Sequence, residues 1–176
     1  MKPLPKDYKD PIAQDIRDIP RICRQIQDDW RGFSTKTSLN HLTAGNFTKC
    51  LQKQLQSLHS KSVERQSGTI DILLTGCEVS VWLTEQFASD LQKSFPCLRI
   101  TAISSNKLLG LFGQDMECPA IGFLFSQHSN DLKGSIMIIV SHSGGTFAPL
   151  ACSNLLQSMA CLIFVVTSEW DVQIGK

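Results

Sequence analysis

Residues 141–146, Ser-His-Ser-Gly-Gly-Thr, are the part of this chain whose types and spacing most clearly suggest binding chemistry. They follow the apolar run Ile136–Val140 and precede a segment with helical spacing, in which Pro149 falls in the first turn. A helix start presents amide N–H groups and a positive dipole end to an anion. Hydroxyls add neutral donors, glycines let the backbone approach closely, and Thr146 is suited to cap the helix. The loop is therefore predicted to bind phosphate.

Two other interpretations of this loop follow from its residues. An ordinary strand-to-helix turn is also rich in serine, glycine and threonine, and the loop lacks the lysine of a Walker loop and the G-x-G-x-x-G spacing of a dinucleotide-binding fold. A lipase-type elbow, G-H-S-x-G, would make Ser143 a nucleophile. However, position 141 is serine rather than glycine, and no histidine follows His142 to complete a triad. A serine hydrolase is therefore the least favoured of the three.

Four short apolar runs alternate with helical patterns in the second half of the chain and would position this loop. The runs are Thr69–Leu74, Leu98–Ile103, Ile136–Val140 and Cys161–Val166. The helix between the first two runs ends at Pro96 and is marked by Leu83, Phe87, Leu91 and Phe95. The helix after residue 146 is marked by Ala148, Cys152, Leu155 and Met159. The alternation predicts an α/β fold with a parallel sheet covered on both faces.

Residues 106–133 do not fit this alternation. Cys118–Phe125 (CPAIGFLF) is compatible with a strand or with a buried helix, and Ser126–Leu132 is typical of a loop. No position relative to the sheet is predicted for this segment.

The first third of the chain predicts helices. Asp10 and Pro11 are typical of an N-cap followed by the first helical position. Pro20 interrupts this helix and predicts either a kink or two short helices. Residues 31–45 have the composition of a loop. The apolar positions of the first helix are Ile12, Ile16, Ile19, Cys23, Ile26 and Trp30, and those of a second helix are Phe47, Leu51, Leu55 and Leu58.

The composition narrows the classes of partner and cofactor. The net charge is +1 and 19% of the residues are charged, which predicts a folded chain without a nucleic-acid or membrane partner. Seven cysteines and four histidines are scattered without a C-x-x-C motif, so no metal and no cofactor is predicted. The N-terminal MKPLPKDYKD is polar, and no apolar run is long enough to span a bilayer. These features predict a reducing, cytoplasmic setting.

The loop at 141–146, between a strand and a helix, resembles the S-[QH]-S-G-x-T signature of the SIS (sugar isomerase) domain family. Leu74–Ser80 (LTGCEVS) is similar to the first loop of that family, often G-C-G-T-S. Ala102–Ser105 and Val165–Ser168 resemble the ends of its second and fourth strands. Residues 15–20 (DIRDIP) are similar to the start of the isomerase part of glucosamine-6-phosphate synthases.

The resemblance covers roughly residues 10–176, apart from an apparent insertion near 106–133, and is greatest to the first SIS lobe of those synthases. It implies a three-layer sandwich with a parallel, flavodoxin-like sheet, preceded by N-terminal helices. It also implies that a ketose or aminosugar phosphate is the ligand. The residues that would contact it are Ser141, His142, Ser143 and Thr146 in the second loop, with Ser80 and Cys77 in the first. The alternative role of Cys77 is packing against its neighbours rather than contact with the ligand.

Two residues of the first loop depart from the family pattern. Glu78 stands where the family usually has glycine, and Val79 stands where it often has threonine. A carboxylate about 5 Å from a phosphate charge would cost roughly 3 kcal/mol per charge pair at an effective dielectric constant near 20. We therefore expect Glu78 to face the surface, away from a bound phosphate, and to cap the following helix.

The resemblance divides the chain into an N-terminal tail and helical segment at 1–66 and an SIS domain at 67–176. The sequence ends after the fourth predicted strand, whereas the family sheet usually has five, so an incomplete domain is expected. Isomerisation needs a base, and none is identified here. Lys2 follows Met1, so the N-terminal cysteine of a glutaminase is absent. We expect a phosphosugar-binding module without turnover, or alternatively an isomerase or aminosugar-phosphate synthase completed by a second lobe or a homodimer partner.

Overall fold

The computed structural model describes residues 10–33, 38–60, 70–111, 116–118, 123–125, 132, 134–158, 162–168 and 173–175. The chain divides into two compact units, residues 1–50 and residues 51–176. The predicted domain boundary between residues 66 and 67 lies outside the described residues and stays a prediction.

Helix α1, Pro11–Arg31, begins and ends at the residues that its sequence favours. The Asp10 side chain accepts a hydrogen bond from the Ile12 amide at 3.0 Å, and Gly32 closes the helix in the left-handed conformation at φ 75°. The helix continues through Pro20. Division into two short helices is therefore wrong, because a single helix spans Pro11–Arg31 with the proline in its interior.

Helix α2, Leu39–Ser60, begins earlier than its apolar pattern indicates. Ser38 starts it: the Ser38 hydroxyl accepts from the His41 amide at 3.3 Å, and its carbonyl accepts from the Leu42 amide at 3.1 Å. The loop prediction for residues 31–45 is therefore wrong from residue 39 onward. Further along α2, the predicted apolar position Leu51 is buried.

The second unit contains a four-stranded parallel sheet, which confirms the predicted α/β class. Its strands are β1 (Ile72–Gly76), β2 (Ile100–Ser104), β5 (Ile136–Val140) and β6 (Leu162–Val166), and their order across the sheet is β2-β1-β5-β6. Counted among themselves, these strands follow the order 2-1-3-4, which is the beginning of the flavodoxin-like order.

Among the described residues, three helices cover this sheet: α3 (Val79–Ser94), α4 (Ser105–Leu111) and α5 (Phe147–Ser158). The crossovers from β1 to β2 and from β5 to β6 run in opposite directions, so right-handed connections place α3 and α5 on opposite faces. On the α4–α5 face, one buried cluster joins Met137 and Ile139 of β5 to Leu108 and Leu156 of the two helices. The sheet is thus flanked by helices, consistent with the SIS-like architecture expected from the sequence.

The faces of α3 and α5 differ in part from the predicted ones. The buried residues of α3 are Thr84, Ala88 and Leu91, whereas the predicted positions Leu83 and Phe87 are exposed. In α5 the predicted Ala148 and Cys152 are buried, but Leu156 takes the place of the exposed Leu155, and Met159 lies outside the described residues. Each helix buries only a narrow stripe against the sheet, so neighbouring apolar positions on the same helix remain exposed.

The segment that the sequence left unplaced forms α4 and a separate two-stranded antiparallel sheet. Its strands are β3, Met116–Cys118, and β4, Phe123–Phe125, with Met116 opposite Phe125. A buried helix over residues 118–125 is therefore wrong, and the strand alternative holds where the structure describes this range. The loop predicted at 126–132 lies outside the described residues except for Leu132, which is buried.

No helix in the described parts of the chain has both the length and the apolar character needed to cross a membrane.

Candidate functional site

Two loops lie side by side at the carboxyl ends of the sheet's strands. Strands β1 and β5 are parallel neighbours, and their last residues, Gly76 and Val140, are paired in register. The loops that follow, 77–80 and 141–146, therefore start at the same level. The chain leaves β1 toward β2 on one side and leaves β5 toward β6 on the other. This is the switch point at which open α/β sheets bind ligands.

Ser141 stabilises the second loop from inside. Its side chain is buried, with 3% of the residue exposed. The Ser141 hydroxyl accepts a hydrogen bond from the Gly144 amide at 3.2 Å, and the Ser141 amide donates to the Val166 carbonyl at 3.0 Å. Gly144 has φ 63°, a conformation that glycine adopts without strain. Contact between the Ser141 hydroxyl and a phosphate stays a prediction, because this hydroxyl has a partner within the loop.

The exposed side of the loop is formed by His142, Ser143, Gly145 and Thr146. The Ser143 and Thr146 hydroxyl oxygens lie 3.5 Å apart, and the Ser143 hydroxyl accepts from the Gly145 amide at 3.4 Å. Thr146 directly precedes α5, as predicted for a cap, and its carbonyl accepts the Leu150 amide at 3.2 Å. Two hydroxyls thus lie beside the first turn of a helix, where backbone N–H groups lack intrahelical partners.

Residues after β6 hold the loop from its other side. The His142 carbonyl accepts from the Thr167 hydroxyl at 3.0 Å, from the Ser168 amide at 3.2 Å and from the Ser168 hydroxyl at 2.8 Å. The sequence predicted only that residues 165–168 end a strand. Their role in holding the loop was missed, and the signal that could have indicated it is the pair of small hydroxyl residues directly after β6. The Ile174 amide also donates to the Gly144 carbonyl at 3.2 Å. The backbone of the loop is therefore fixed by the protein itself.

The His142 ring has one nitrogen engaged. Its Nδ1 lies 2.6 Å from the Ser168 hydroxyl, which is also within hydrogen-bonding distance of the His142 carbonyl. Depending on the tautomer of the neutral ring, Nδ1 donates to this hydroxyl and Nε2 is an acceptor, or Nδ1 accepts from it and Nε2–H is a donor for a phosphate.

The first loop depends on a close approach at Gly76. A Cβ atom there would lie 2.9 Å from the Ser80 Cβ and 3.0 Å from the Val140 carbonyl oxygen. The half-buried Ser80 thus packs at the junction of the two loops, at the start of α3. Its amide donates to the Cys77 carbonyl at 2.9 Å, which closes a tight turn over residues 77–80.

Glu78 occupies the position of this turn that favours glycine. Its backbone has φ 49° and ψ −119°, close to the first central position of a type II′ turn. Among the described residues it is the one non-glycine residue with positive φ. The residue is exposed, as expected, but its side chain makes no capping hydrogen bond to α3. The capping prediction is therefore wrong, because the left-handed backbone that the turn requires differs from the extended one of a normal N-cap.

Cys77 lies next to two buried hydroxyl residues, Thr75 and Ser105. Its thiol is hydrogen-bonded to the Ser105 side chain. The Ser105 hydroxyl also lies 3.0 Å from that of Thr75, and the Cys152 thiol donates to the Ser105 carbonyl at 3.5 Å. Burial, with a smaller contribution from the Glu78 charge, raises the pKa of Cys77. Burial also raises the pKa of Cys152 to about 12. Both sulfurs are therefore neutral thiols near pH 7, which supports packing as the role of Cys77.

The six predicted site residues thus lie on two adjacent loops: Ser141 is buried, Cys77 and Ser80 are half-buried, and His142, Ser143 and Thr146 are exposed. Within the described ranges, no three histidine, cysteine or acidic side chains are grouped in a way that could hold a metal ion.

Comparison with known proteins gives weak structural likenesses, one of which is described here. No protein-family model matches the chain, and no curated protein matches its sequence. Among solved structures, the chain is similar to tagatose-6-phosphate ketose/aldose isomerase from Escherichia coli, with 16% sequence identity and a TM-score of 0.46. The alignment covers 76% of this chain and 31% of that protein, so the chain spans less than a third of its length. The function is therefore argued from the geometry of the two loops.

Proposed function

We propose that this chain binds the phosphate of a phosphorylated sugar on the 141–146 loop. The observation that carries the proposal is the pair of hydroxyls of Ser143 and Thr146, 3.5 Å apart on the exposed side of the loop at the start of α5. Two donors at this spacing can contact two oxygens of one phosphate, while the amides and dipole of the helix favour its negative charge.

The rigidity of the loop supports the same proposal. Ser141, Thr167 and Ser168 supply hydrogen bonds that fix its backbone without a ligand. A loop that is already ordered loses little conformational entropy when an anion binds, so more of the contact energy is available as affinity. A plain connecting turn would not need hydroxyls on both its inner and its outer side.

The proposed activity is binding without turnover, as in a regulatory or substrate-holding module. Moving a proton between adjacent carbons requires a base beside the substrate. In the described parts of the two loops, the pKa of the Cys77 thiol is raised, and no base is assigned among the other residues. A cytoplasmic location and a carbohydrate-derivative metabolic role belong to this proposal.

The exposed edge of the sheet favours a second candidate function. Strand β6 is last in the order, and Leu162 and Val166 are 50% and 37% exposed. Parallel strands are normally covered on both faces. A second lobe or a second copy at this edge could complete an isomerase or an aminosugar-phosphate synthase. Conversion of fructose 6-phosphate by an oligomer would support this candidate, and a stable monomer without conversion would exclude it for this chain.

A thermal-shift panel tests the binding proposal. Hexose and aminosugar phosphates are compared with inorganic phosphate and with the unphosphorylated sugars. A ligand at about 100 times its Kd adds about 2.7 kcal/mol to the free energy of unfolding, which is a shift of several degrees in Tm. Ser143→Ala and Thr146→Ala should each weaken binding by at least about tenfold, since a hydrogen bond to a charged group contributes about 1.5–3 kcal/mol.

The matched control for these variants is Ser94→Ala. Ser94 is exposed at the far end of α3, where its hydroxyl donates to the Asp90 carbonyl at 2.9 Å. This variant should bind like the parent chain. Absence of any shift at millimolar phosphosugar, or equal shifts for all three variants, would contradict the proposal.

A further inference from the structure

Helix α1 has an exposed apolar stripe along its length. Its members are isoleucines and one tryptophan, each more than two fifths exposed: Ile12, Ile16, Ile19, Ile22, Ile26 and Trp30. Cys23, which is also exposed, lies among them. Most of the stability of a helix in a folded protein comes from packing of its apolar face, so a stripe of this length is expected to have a partner.

The spacing of the stripe indicates that this partner is another helix. The apolar positions from Ile12 to Trp30 alternate by four and three residues, which is a seven-residue repeat. In the heptad abcdefg, position d holds Ile12, Ile19 and Ile26, and position a holds Ile16, Cys23 and Trp30. Ile22 is the one large apolar residue at a flanking e or g position. A seam at a and d packs against a second helix that has the same repeat.

The flanking charges favour a parallel pair of identical helices. Position g holds Asp15 and Asp29, and no charged residue occupies position e within α1. In a parallel pair, position g faces position e of the partner, so Asp15 faces Pro20 without like-charge repulsion. In an antiparallel pair that matches all the a and d positions, g faces g, and Asp15 of each copy faces Asp29 of the other.

The polar face of α1 does not favour a lipid surface as the partner. Amphipathic helices that lie on membranes have polar faces rich in lysine and arginine. Outside its stripe, α1 has four arginines and four aspartates, so these charges cancel.

The area of the stripe is sufficient for a specific pair. Full burial of a large aliphatic side chain removes about 100 Å² from water, and that of tryptophan about 200 Å². At the observed exposures the stripe presents about 350 Å² on each copy, or about 700 Å² in a pair. With the roughly 60% apolar share of a typical interface, this corresponds to about 1,200 Å², the lower end for stable complexes. The pair is therefore expected to dissociate on dilution.

We infer that α1 is a self-association surface: it pairs with α1 of a second copy of this chain in a parallel, in-register coiled coil. This interface does not involve the proposed phosphate site or the edge of strand β6. Cys23 then lies opposite Cys23 of the second copy, because identical a positions share a layer in such a pair.

Sedimentation velocity under reducing conditions, over about a hundredfold range of protein concentration, measures the pairing. The parent chain should change from monomer to dimer as its concentration rises. Ile19→Asp should weaken the dimer at least about hundredfold, because it places two like charges opposite each other in the seam. The matched control is Gln25→Asp, which adds the same charge at an exposed position on the polar side of α1 and should dimerise like the parent chain. Far-UV circular dichroism checks that both variants keep their helices.

Disulfide trapping tests the orientation of the two helices. Diamide accepts two electrons and two protons from a pair of thiols that form a disulfide, and a Cys23–Cys23 link can join only two separate chains. Mass spectrometry should find this link in the parent chain and in Gln25→Asp, and should not find it in Ile19→Asp. A parent chain that stays monomeric (including one whose α1 binds lipid vesicles instead), a dimer of unchanged affinity in Ile19→Asp, or a dimer without the Cys23 link would overturn the inference and leave the proposed function intact.

Discussion

Ser141 and Ser143 are two positions apart in one loop and have different roles. The Ser141 hydroxyl is buried and accepts the Gly144 amide, whereas the Ser143 hydroxyl lies on the exposed side beside Thr146. The resemblance to the SIS signature implied both as phosphate contacts, because both serines match positions of one motif. Which hydroxyl faces inward is decided by the left-handed turn at Gly144, a feature that residue type does not determine.

Glu78→Gly is expected to stabilise the protein. Release of a strain of about 1–3 kcal/mol, less about 0.5–1 kcal/mol for the freedom of glycine in the unfolded chain, gives an expected gain of about 1 kcal/mol. Urea unfolding should show a higher midpoint with an unchanged m-value.

Glu78→Ala separates backbone strain from charge. It removes the carboxylate but keeps the Cβ atom and the positive φ, so its free energy of unfolding should stay within about 0.5 kcal/mol of the parent value. An equal gain in both variants would show that charge repulsion, rather than the backbone, destabilises this turn.

At the scale of elements, apolar runs located the strands, and backbone pairing set their ends. Strand β5 has the predicted bounds, since its five apolar residues lie between Ser135 and Ser141. Strand β1 extends past its apolar residues to Gly76, because the ladder with β2 and β5 continues. The hairpin of β3 and β4 was not placed, because strands of three residues are too short to show a period.

Gly76→Ala is expected to disturb the junction between β1 and α3. The new Cβ would meet the Ser80 Cβ at 2.9 Å and the Val140 carbonyl at 3.0 Å, and neither can move without shifting an element. Overpacking of this kind costs about 1–3 kcal/mol in the free energy of unfolding. Chemical denaturation measures the loss, and phosphosugar affinity should fall with it because the two loops are pushed apart.

Gly110→Ala is the matched control for this change. Gly110 lies in α4, and a Cβ atom there would have no neighbour within 4 Å. Alanine should therefore stabilise the helix by about 0.5–1 kcal/mol. A Gly76→Ala protein as stable as the parent chain would mean that the first loop adapts without cost.

At the scale of the whole molecule, the α/β class could be predicted because alternating runs and helices admit few arrangements. The relation between loops 77–80 and 141–146 depends on β1 and β5 being neighbours, although 59 residues separate the end of β1, Gly76, from the start of β5, Ile136. The resemblance to a known family implied this order, and apolar periodicity did not. The hydrogen bonds from residues 167–168 to the second loop also depend on the strand order, since β6 ends beside β5.

Hydrogen exchange followed by mass spectrometry should reflect this organisation. Strands β1 and β5 are central and buried at all positions, so their amides should exchange most slowly, whereas the edge strands β2 and β6 should exchange faster. The amides of α1, whose apolar side chains are exposed, should exchange faster than those of β5. A bound phosphosugar should slow exchange at 142–147 and leave α1 unchanged, because in the proposed complex the phosphate contacts the loop and the first turn of α5. Protection of α1 equal to that of β5, or a ligand effect spread evenly over the chain, would contradict this assignment of stability and site.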